Sequence, residues 1–223
     1  ISACLVGSEM CIRDRASADQ GLSPVIATFD RHPNSVLKPD QIPQPIAGPR
    51  QKAQILDSLG VEVCLTMPFD QELANLSPLE FVDQVLVPMN SRLVFVGEGF
   101  RFGRGGEGRV STLRELGLTK GFTVREVAHV LLAGKKVSST LIREQLDAGR
   151  IELVNAMLGR EHCVVGEIEH GRKLGRTLGF PTANFSRSSE GYLPVDGVYA
   201  GWLIADGVRY PAAHSVGTND SVE

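Results

Sequence analysis

Cysteine is scarce and carries no pattern. Cys4, Cys11, Cys64 and Cys163 are the four in 223 residues, and they show neither Cys-x-x-Cys spacing nor a partnering histidine arrangement. A zinc site and a disulfide framework are therefore not indicated, and a reducing, cytoplasmic setting is expected. A basic excess is also lacking: 23 lysines and arginines against 26 acidic residues give a formal net charge of -3, which speaks against nucleic acid as the main partner. No run of eighteen apolar residues occurs, so no segment is expected to span a membrane. Ile1 to Val6 is apolar, yet a signal-peptide cleavage pattern is missing and Arg13-Asp14-Arg15 follows, so residues 1–15 read as a foreign or disordered segment. Glycine, by contrast, is plentiful at 24 residues, as expected where backbone approaches phosphates closely. The length allows one large domain or two modest ones with real cores.

Two kinds of periodicity follow one another. Residues 24–29 read as a buried strand, 49–59 as a helix ended by Gly60, and 61–66 as a strand. Ser77-Pro78-Leu79-Glu80 reads as a capping box with proline at the first helical position, opening a helix to about Leu86 ahead of Pro88. Residues 92–96 read as a strand, 111–116 as a short helix and 122–127 as another strand. This alternation predicts an α/β domain with a parallel sheet and crossovers. Two consecutive helices, 138–146 and 151–158, end near glycines, after which the helical period stops; a domain border near Gly159-Arg160 follows. Beyond it, residues 163–170, 180–185, 198–205 and 208–216 read as strands, with Asp206-Gly207 as a two-residue hairpin turn. The expected organisation is an extra segment at 1–15, an α/β domain at 16–158 and an all-β module at 159–223.

Two segments carry chemistry. In Leu178-Gly179-Phe180-Pro181-Thr182-Ala183-Asn184, proline restricts the backbone just before Thr182 and Asn184. Residues two apart on an extended chain point the same way, so this pair offers two neutral oxygens of the kind magnesium on a nucleotide prefers. The plain alternative is a strand entered through a Gly-Phe-Pro turn. In Lys136-Val137-Ser138-Ser139-Thr140-Leu141-Ile142-Arg143, three hydroxyls open a predicted helix and an arginine follows one turn in. Unpaired N–H groups and the positive dipole end favour an anion there, so Ser138, Ser139 and Thr140 can cap and Arg143 can clamp. An ordinary Ser/Thr cap is the plain alternative. His170, Gly171, Lys173 and Arg176 form a basic loop suited to nucleotide phosphates, or else exposed charges. The loop 103–109, Gly-Arg-Gly-Gly-Glu-Gly-Arg, can be a lid over phosphates or a solvated turn. His32 follows a strand at an expected carboxyl-end crevice, where ligands bind open α/β sheets, or is structural. Phe100 and Phe102 alternate sides, with Phe100 expected in the core.

These motifs resemble known ones in order. Gly166 to Gly171, Gly175-Arg176-Thr177-Leu178 into Gly179 to Asn184, and Gly197-Val198-Tyr199 are similar to the riboflavin kinase signature. The Ser138–Arg143 run resembles the Ser-Ser-Thr-x-Ile-Arg element of nucleotidyltransferases, in particular the adenylyltransferase module of bacterial bifunctional riboflavin kinase/FAD synthetases. Thr28-Phe29-Asp30-Arg31-His32-Pro33 and Val96-Gly97-Glu98-Gly99-Phe100-Arg101-Phe102-Gly103 stand at that family's places. Arg31 replaces a usual proline, and Gly99 replaces a polar residue near the flavin.

The resemblance implies a Rossmann-like nucleotidyltransferase domain followed by a small Greek-key barrel. It also implies two transfers: phosphorylation of riboflavin to FMN and adenylylation of FMN to FAD, both with ATP and magnesium. Thr182 and Asn184 would hold the metal and ATP for the first. Ser138, Ser139, Thr140 and Arg143 would bind phosphates for the second, and His170, Gly171, Lys173 and Arg176 would hold nucleotide as well. His32, Phe100 and Phe102 would bind flavin, Phe102 facing the isoalloxazine. Riboflavin, FMN and ATP are the implied small-molecule partners, with no nucleic acid, no membrane and no particular oligomeric state.

No catalytic residue is assigned. The family's initial strand and its Gly-x-Phe-Asp-Gly-x-His-x-Gly-His segment find no counterpart, nor does a later-strand glutamate serving as general base. Glu223 does not occupy that place, and His214 and Asp220-Ser221-Val222-Glu223 depart from the family. A fragment clipped at both ends, with impaired turnover, is therefore expected. Other classes are a non-catalytic flavin- or nucleotide-binding module and a nucleotidyltransferase for another phosphorylated acceptor.

Overall fold

The computed structural model describes residues 21–169 and 182–217. The chain separates into two units, the first holding the chain up to Gln44 and Ala53–Val137, the second Pro45–Lys52 and the chain from Ser138 onward.

In the first unit, β1 (Val25–Phe29) enters a short helix α1 (Asn34–Leu37) and a 3-10 turn. Helix α2 (Pro49–Ser58) leads into β2 (Val63–Met67), which pairs in parallel with β1, Val25 opposite Val63 and Phe29 opposite Met67. Helix α3 (Gln71–Asn75) starts at Asp70, whose carboxylate accepts the Leu73 N–H at 2.8 Å. The expected capping box opens α4 (Pro78–Phe81): Ser77 Oγ accepts the Glu80 N–H and the Glu80 carboxylate accepts the Ser77 N–H at 2.8 Å. Hydrogen bonding of the carboxyl to Ser77, through its side chain first and its backbone N–H second, holds Glu80 below its ordinary value. The helix widens into a π turn at Val82–Leu86, ahead of Pro88.

Strand β3 (Leu93–Gly97), the small hairpin β4 (Arg101–Phe102) with β5 (Gly108–Arg109), helix α5 (Val110–Lys120) and β6 (Thr123–Val127) follow. β3 and β6 run parallel, Leu93 opposite Thr123. The expected parallel strands thus form two two-stranded pairs among the described residues. Helix α5 outruns the predicted 111–116 because the left-handed Gly121 is what ends it; Gly117, inside the helix, lies against Phe122. A last small ladder, β7 (Leu131–Leu132) with β8 (Lys135–Lys136), closes the unit. The core gathers Val82, Leu86, Val96, Phe102, Val110, Leu113 and Phe122, each such burial stabilising by roughly 1.5–3 kcal/mol.

The second unit begins with α6 (Ser139–Asp147) and α7 (Ile151–Leu158), which bury Ile142, Leu146, Val154, Met157 and Leu158. β9 (Ile168–Glu169) pairs antiparallel with β10 (Asn184–Phe185), and β11 (Gly197–Ala205) with β12 (Val208–Val216). Asp206 and Gly207 both take positive φ, 50° and 76°, the mirror-image turn that a right-twisted hairpin favours. The predicted strand at 163–170 is shorter than expected, reduced to Ile168–Glu169 and a single bridge from Val165 to Glu190. The first turn of α2 belongs to this unit. Its Arg50 and Gln51 N–H groups donate to the Glu190 carboxylate at 3.0 and 3.4 Å. Buried Gln51 accepts the Gly48 N–H at 2.8 Å and donates to the Cys163 carbonyl at 2.9 Å. No helix among the described residues is long and apolar enough to cross a membrane.

Candidate phosphate and flavin sites

Helix α6 begins where the hydroxyl run predicts a helix. Ser138 is its extended N-cap, and its Oγ accepts the Leu141 N–H at 3.2 Å, so this hydroxyl meets one of the helix's orphan donors. Ser139 and Arg143 are half-buried and Thr140 is exposed, while Ile142 and Leu146 are fully buried. Ser139, Arg143 and Asp147 lie at successive i, i+4 positions and so line one stripe of the helix.

Thr182 and Asn184 are both exposed. Asn184 lies in β10 directly opposite Glu169, whereas Thr182 precedes the strand. Directly opposed residues hold their Cβ atoms about 4.5–5.5 Å apart, which brings a carboxylate beside the Asn184 amide. Sequence reading passed over Glu169; its signal lay in the strand register, which only the pairing fixes. His170, Gly171, Lys173 and Arg176 lie outside the described residues. Among the described residues no group of three or more His, Cys, Asp or Glu could hold a metal ion. The neutral donors of Thr182 and Asn184 fit magnesium that arrives already bound to nucleotide phosphates, since that ion keeps most of its shell from water and phosphate.

At the carboxyl ends of β1 and β2, Asp30 ties the strands together. Its N–H donates to the Met67 carbonyl at 2.9 Å and its Oδ1 accepts the Phe69 N–H at 2.9 Å. Arg31 pairs with the same carboxylate at 2.7 Å. The Arg31 guanidinium first, then the Phe69 N–H, hold the Asp30 carboxyl below its ordinary value. His32 is exposed, and its Nδ1 accepts the Asn34 N–H at 3.1 Å, which helps start α1 and leaves Nε2 as the protonated nitrogen. Beside the end of β2, Met67, Pro68, Leu73, Leu76 and Val85 wall a cleft of about 270 Å³, with Asp70, Glu72 and Gln84 supplying its polar lining.

The aromatic pair differs from expectation. Phe102 is the core residue, 6% exposed, and Phe100 packs against that core while only half-buried. The rings stack at 5.8 Å with 11° between planes, so they share a side rather than alternate. Residues two apart on an extended chain point the same way, so the expected alternation does not hold across Phe100-Arg101-Phe102; Gly99 at φ 73° turns the chain between β3 and β4 just ahead of them, a conformation glycine adopts without cost. Gly108 then faces Phe102 so closely that a Cβ would stand 2.6 Å from its ring. The Arg104-to-Gly106 loop is a tight turn with Gly105 left-handed at φ 61°, anchored by the Arg104 N–H to the Leu76 carbonyl at 2.6 Å and by Arg101 Nη1 to the Gly106 carbonyl at 3.2 Å.

The FAD synthetase family model matches residues 12–141 and the riboflavin kinase model residues 158–223. Among curated relatives, the bifunctional riboflavin kinase/FMN adenylyltransferase of Bacillus subtilis (strain 168) is 34% identical over 89% of this chain and 63% of its own length. Its namesake in Pseudomonas fluorescens is 34% identical over 95% of the chain and 67% of the relative. That of Escherichia coli (strain K12) is 31% identical over 91% and 65%. The chain therefore spans about two-thirds of the length of these relatives. A crystal structure described as a macrolide-efflux protein from Streptococcus pneumoniae superposes with a TM-score of 0.88 at 27% identity, covering 99% of this chain and 73% of that one. With one family model over more than half its length and the second following it, the chain belongs to the FAD synthetase family, in the form that continues into a riboflavin kinase segment.

Proposed function

We propose that this chain serves flavin cofactor synthesis, phosphorylating riboflavin to FMN and adenylylating FMN to FAD, each at the expense of ATP. The parallel pairs then belong to a Rossmann-like nucleotidyltransferase domain over residues 16–158, and strands β9 to β12 to a Greek-key barrel over 159–223. The observation that carries this reading is the succession on one chain of the FAD synthetase and riboflavin kinase matches. Exposed Thr182, Asn184 and Thr140 support it, because side chains displayed to solvent can meet a phosphate. The free thiols of Cys64 and Cys163 are in keeping with a reducing, cytoplasmic setting.

In the first transfer the ribityl hydroxyl attacks the γ-phosphate of ATP; in the second the FMN phosphate attacks the α-phosphate and pyrophosphate leaves. Such reactions depend on positioning and charge neutralisation. Thr182 and Asn184 would orient the nucleotide of the first through the magnesium it carries, which when bound supplies charge neutralisation on the phosphates. His170, Gly171, Lys173 and Arg176 would steady that nucleotide. For the second, Ser139, Thr140 and Arg143 would receive the phosphates at the entrance of α6, with Ser138 holding the first turn open. Phe100, as the more accessible ring, is the better candidate for flavin contact; Phe102 would act from behind it, and His32 from the carboxyl-end crevice. The apolar cleft beside β2 offers a flat ring system a surface on the same unit.

Calorimetric titration with magnesium-ATP and with FMN, beside chromatography of mixtures containing riboflavin, ATP and magnesium, tests the reading. Saturable binding of both ligands is expected, with FMN and FAD as the products. Binding without either product in the protein extended to its relatives' length would favour a non-catalytic sensor. Absence of binding would end the proposal.

A further inference from the structure

The last residue of α6 is Asp147, a carboxylate at the helix end where the partial negative charge disfavours it. Its recorded partner is Tyr192, whose hydroxyl donates to Asp147 Oδ1 at 2.9 Å. The segment around Tyr192 is fixed by other bonds. Its N–H donates to the Ile46 carbonyl at 3.2 Å and its carbonyl accepts from His162 Nε2 at 2.7 Å. Three residues on, the Val195 N–H donates to the Leu146 carbonyl at 3.1 Å. Ile142 and Leu146, both 0% exposed, keep α6 from rolling. The backbone around Tyr192 is therefore placed without help from its hydroxyl, whose bond to Asp147 acts on that carboxylate.

Arg143 stands one turn before Asp147, at the i, i+4 spacing at which side-chain charges meet. Asp147, by accepting the bond, holds the Tyr192 phenol above its ordinary pKa, and the Arg143 guanidinium opposes that effect. All three groups thus share one electrostatic neighbourhood. A carboxylate one turn below a phosphate-binding arginine competes with phosphate for the guanidinium, and a hydroxyl donated to that carboxylate weakens the competition.

We propose that Tyr192 is a positioning residue for nucleotide phosphate: by donating to Asp147 it limits the pull of that carboxylate on Arg143 and keeps the guanidinium turned to the entrance of α6. The proposal rests on the reading of Ser138 to Arg143 as a triphosphate site. It links a residue of the riboflavin kinase segment to the anion grip of the FAD synthetase motif.

Titration of the chain with magnesium-ATP and with inorganic tripolyphosphate at low salt tests it. Arg143→Ala should weaken both ligands. Tyr192→Phe should weaken them about two- to threefold, in line with exposed helical ion pairs, and the loss should shrink as salt screens the charges. Asp147→Asn in the Tyr192→Phe background should restore the parent affinity, which a purely structural bond would not do. Asp147→Asn alone should bind at least as tightly as the parent, a readout that survives even if Tyr192→Phe folds poorly. If Arg143→Ala changes nothing, the triphosphate reading itself falls. If it weakens binding while Tyr192→Phe matches the parent, the double variant fails to recover, or Asp147→Asn binds less tightly, the role of Tyr192 alone is overturned.

Discussion

The core of the first unit encloses Leu113 and Val82, 1% and 0% exposed, whereas on the β11–β12 hairpin Val198 is 77% and Ile204 68% exposed. Similar residue types are held by different means. Around Leu113 the packing of helix on strand removes hydrocarbon from water, and backbone pairing comes along with it. On the hairpin the backbone ladder runs unbroken from Gly197 opposite Val216 to Ala205 opposite Val208, and side chains decorate it. Trp202 is covered by the Arg209 guanidinium at 4.2 Å, itself paired to Glu161 at 2.7 Å. One region should therefore be sensitive to side-chain volume and the other to turn and register.

Truncation in the core is the strongest way to break this comparison. Leu113→Ala should cost about 2–5 kcal/mol, read as a fall in the urea midpoint, while Val198→Ala should stay within about 0.5 kcal/mol. Equal costs would mean that the hairpin face is covered in solution. A second effect should appear in binding alone. Thr182→Ala with Asn184→Ala should weaken magnesium-ATP by roughly tenfold, on the order of one or two lost hydrogen bonds, and leave the urea midpoint unchanged because both side chains are exposed.

Helix entrances give a third, smaller contrast. Ser77→Ala and Ser138→Ala should each cost about 1 kcal/mol of stability, but only the second should also weaken tripolyphosphate binding. Loss of phosphate affinity in Ser77→Ala would show that the effect is general to helix starts. The smallest effect is a pH difference between the units. Burial holds the His162 imidazole below its ordinary value, so its folded pKa lies under the unfolded one. Stability of the second unit is then complete above the ordinary imidazole range and declines as pH falls toward the lowered value. Asp30 is depressed within the carboxylate range, so its contribution to the first unit is kept through that window and lost only at more acidic pH. Amide hydrogen exchange followed from pH 7.5 to 4.5 should loosen residues near His162 first.

Much of this organisation was legible in the chain. Ser77 and Glu80 announce a helix start because both partners of the capping box lie within four residues, and Asp206-Gly207 announces a hairpin because the turn demands positive φ at both. α7 and β12 fell at their predicted bounds, each flanked by a glycine-bearing turn. What escaped depended on partners distant in sequence. Phe100 was expected in the core, but residues two apart on an extended chain share a side, and Phe102, pressed against Gly108, is the one that is buried. Glu169 became visible only when pairing set it opposite Asn184. The helix expected at 111–116 runs on to Lys120, where the left-handed Gly121 ends it.

The carboxylate at the entrance of α2 has a consequence for how the chain reaches its folded form. Glu190 lies 140 residues beyond Arg50, whose N–H it accepts. During synthesis at about 5–20 residues per second, that helix start waits on the order of ten seconds for its acceptor. Until then the first turn of α2 must draw its hydrogen bonds from water or from local side chains such as Gln51, and only the arrival of a late segment fixes an early one.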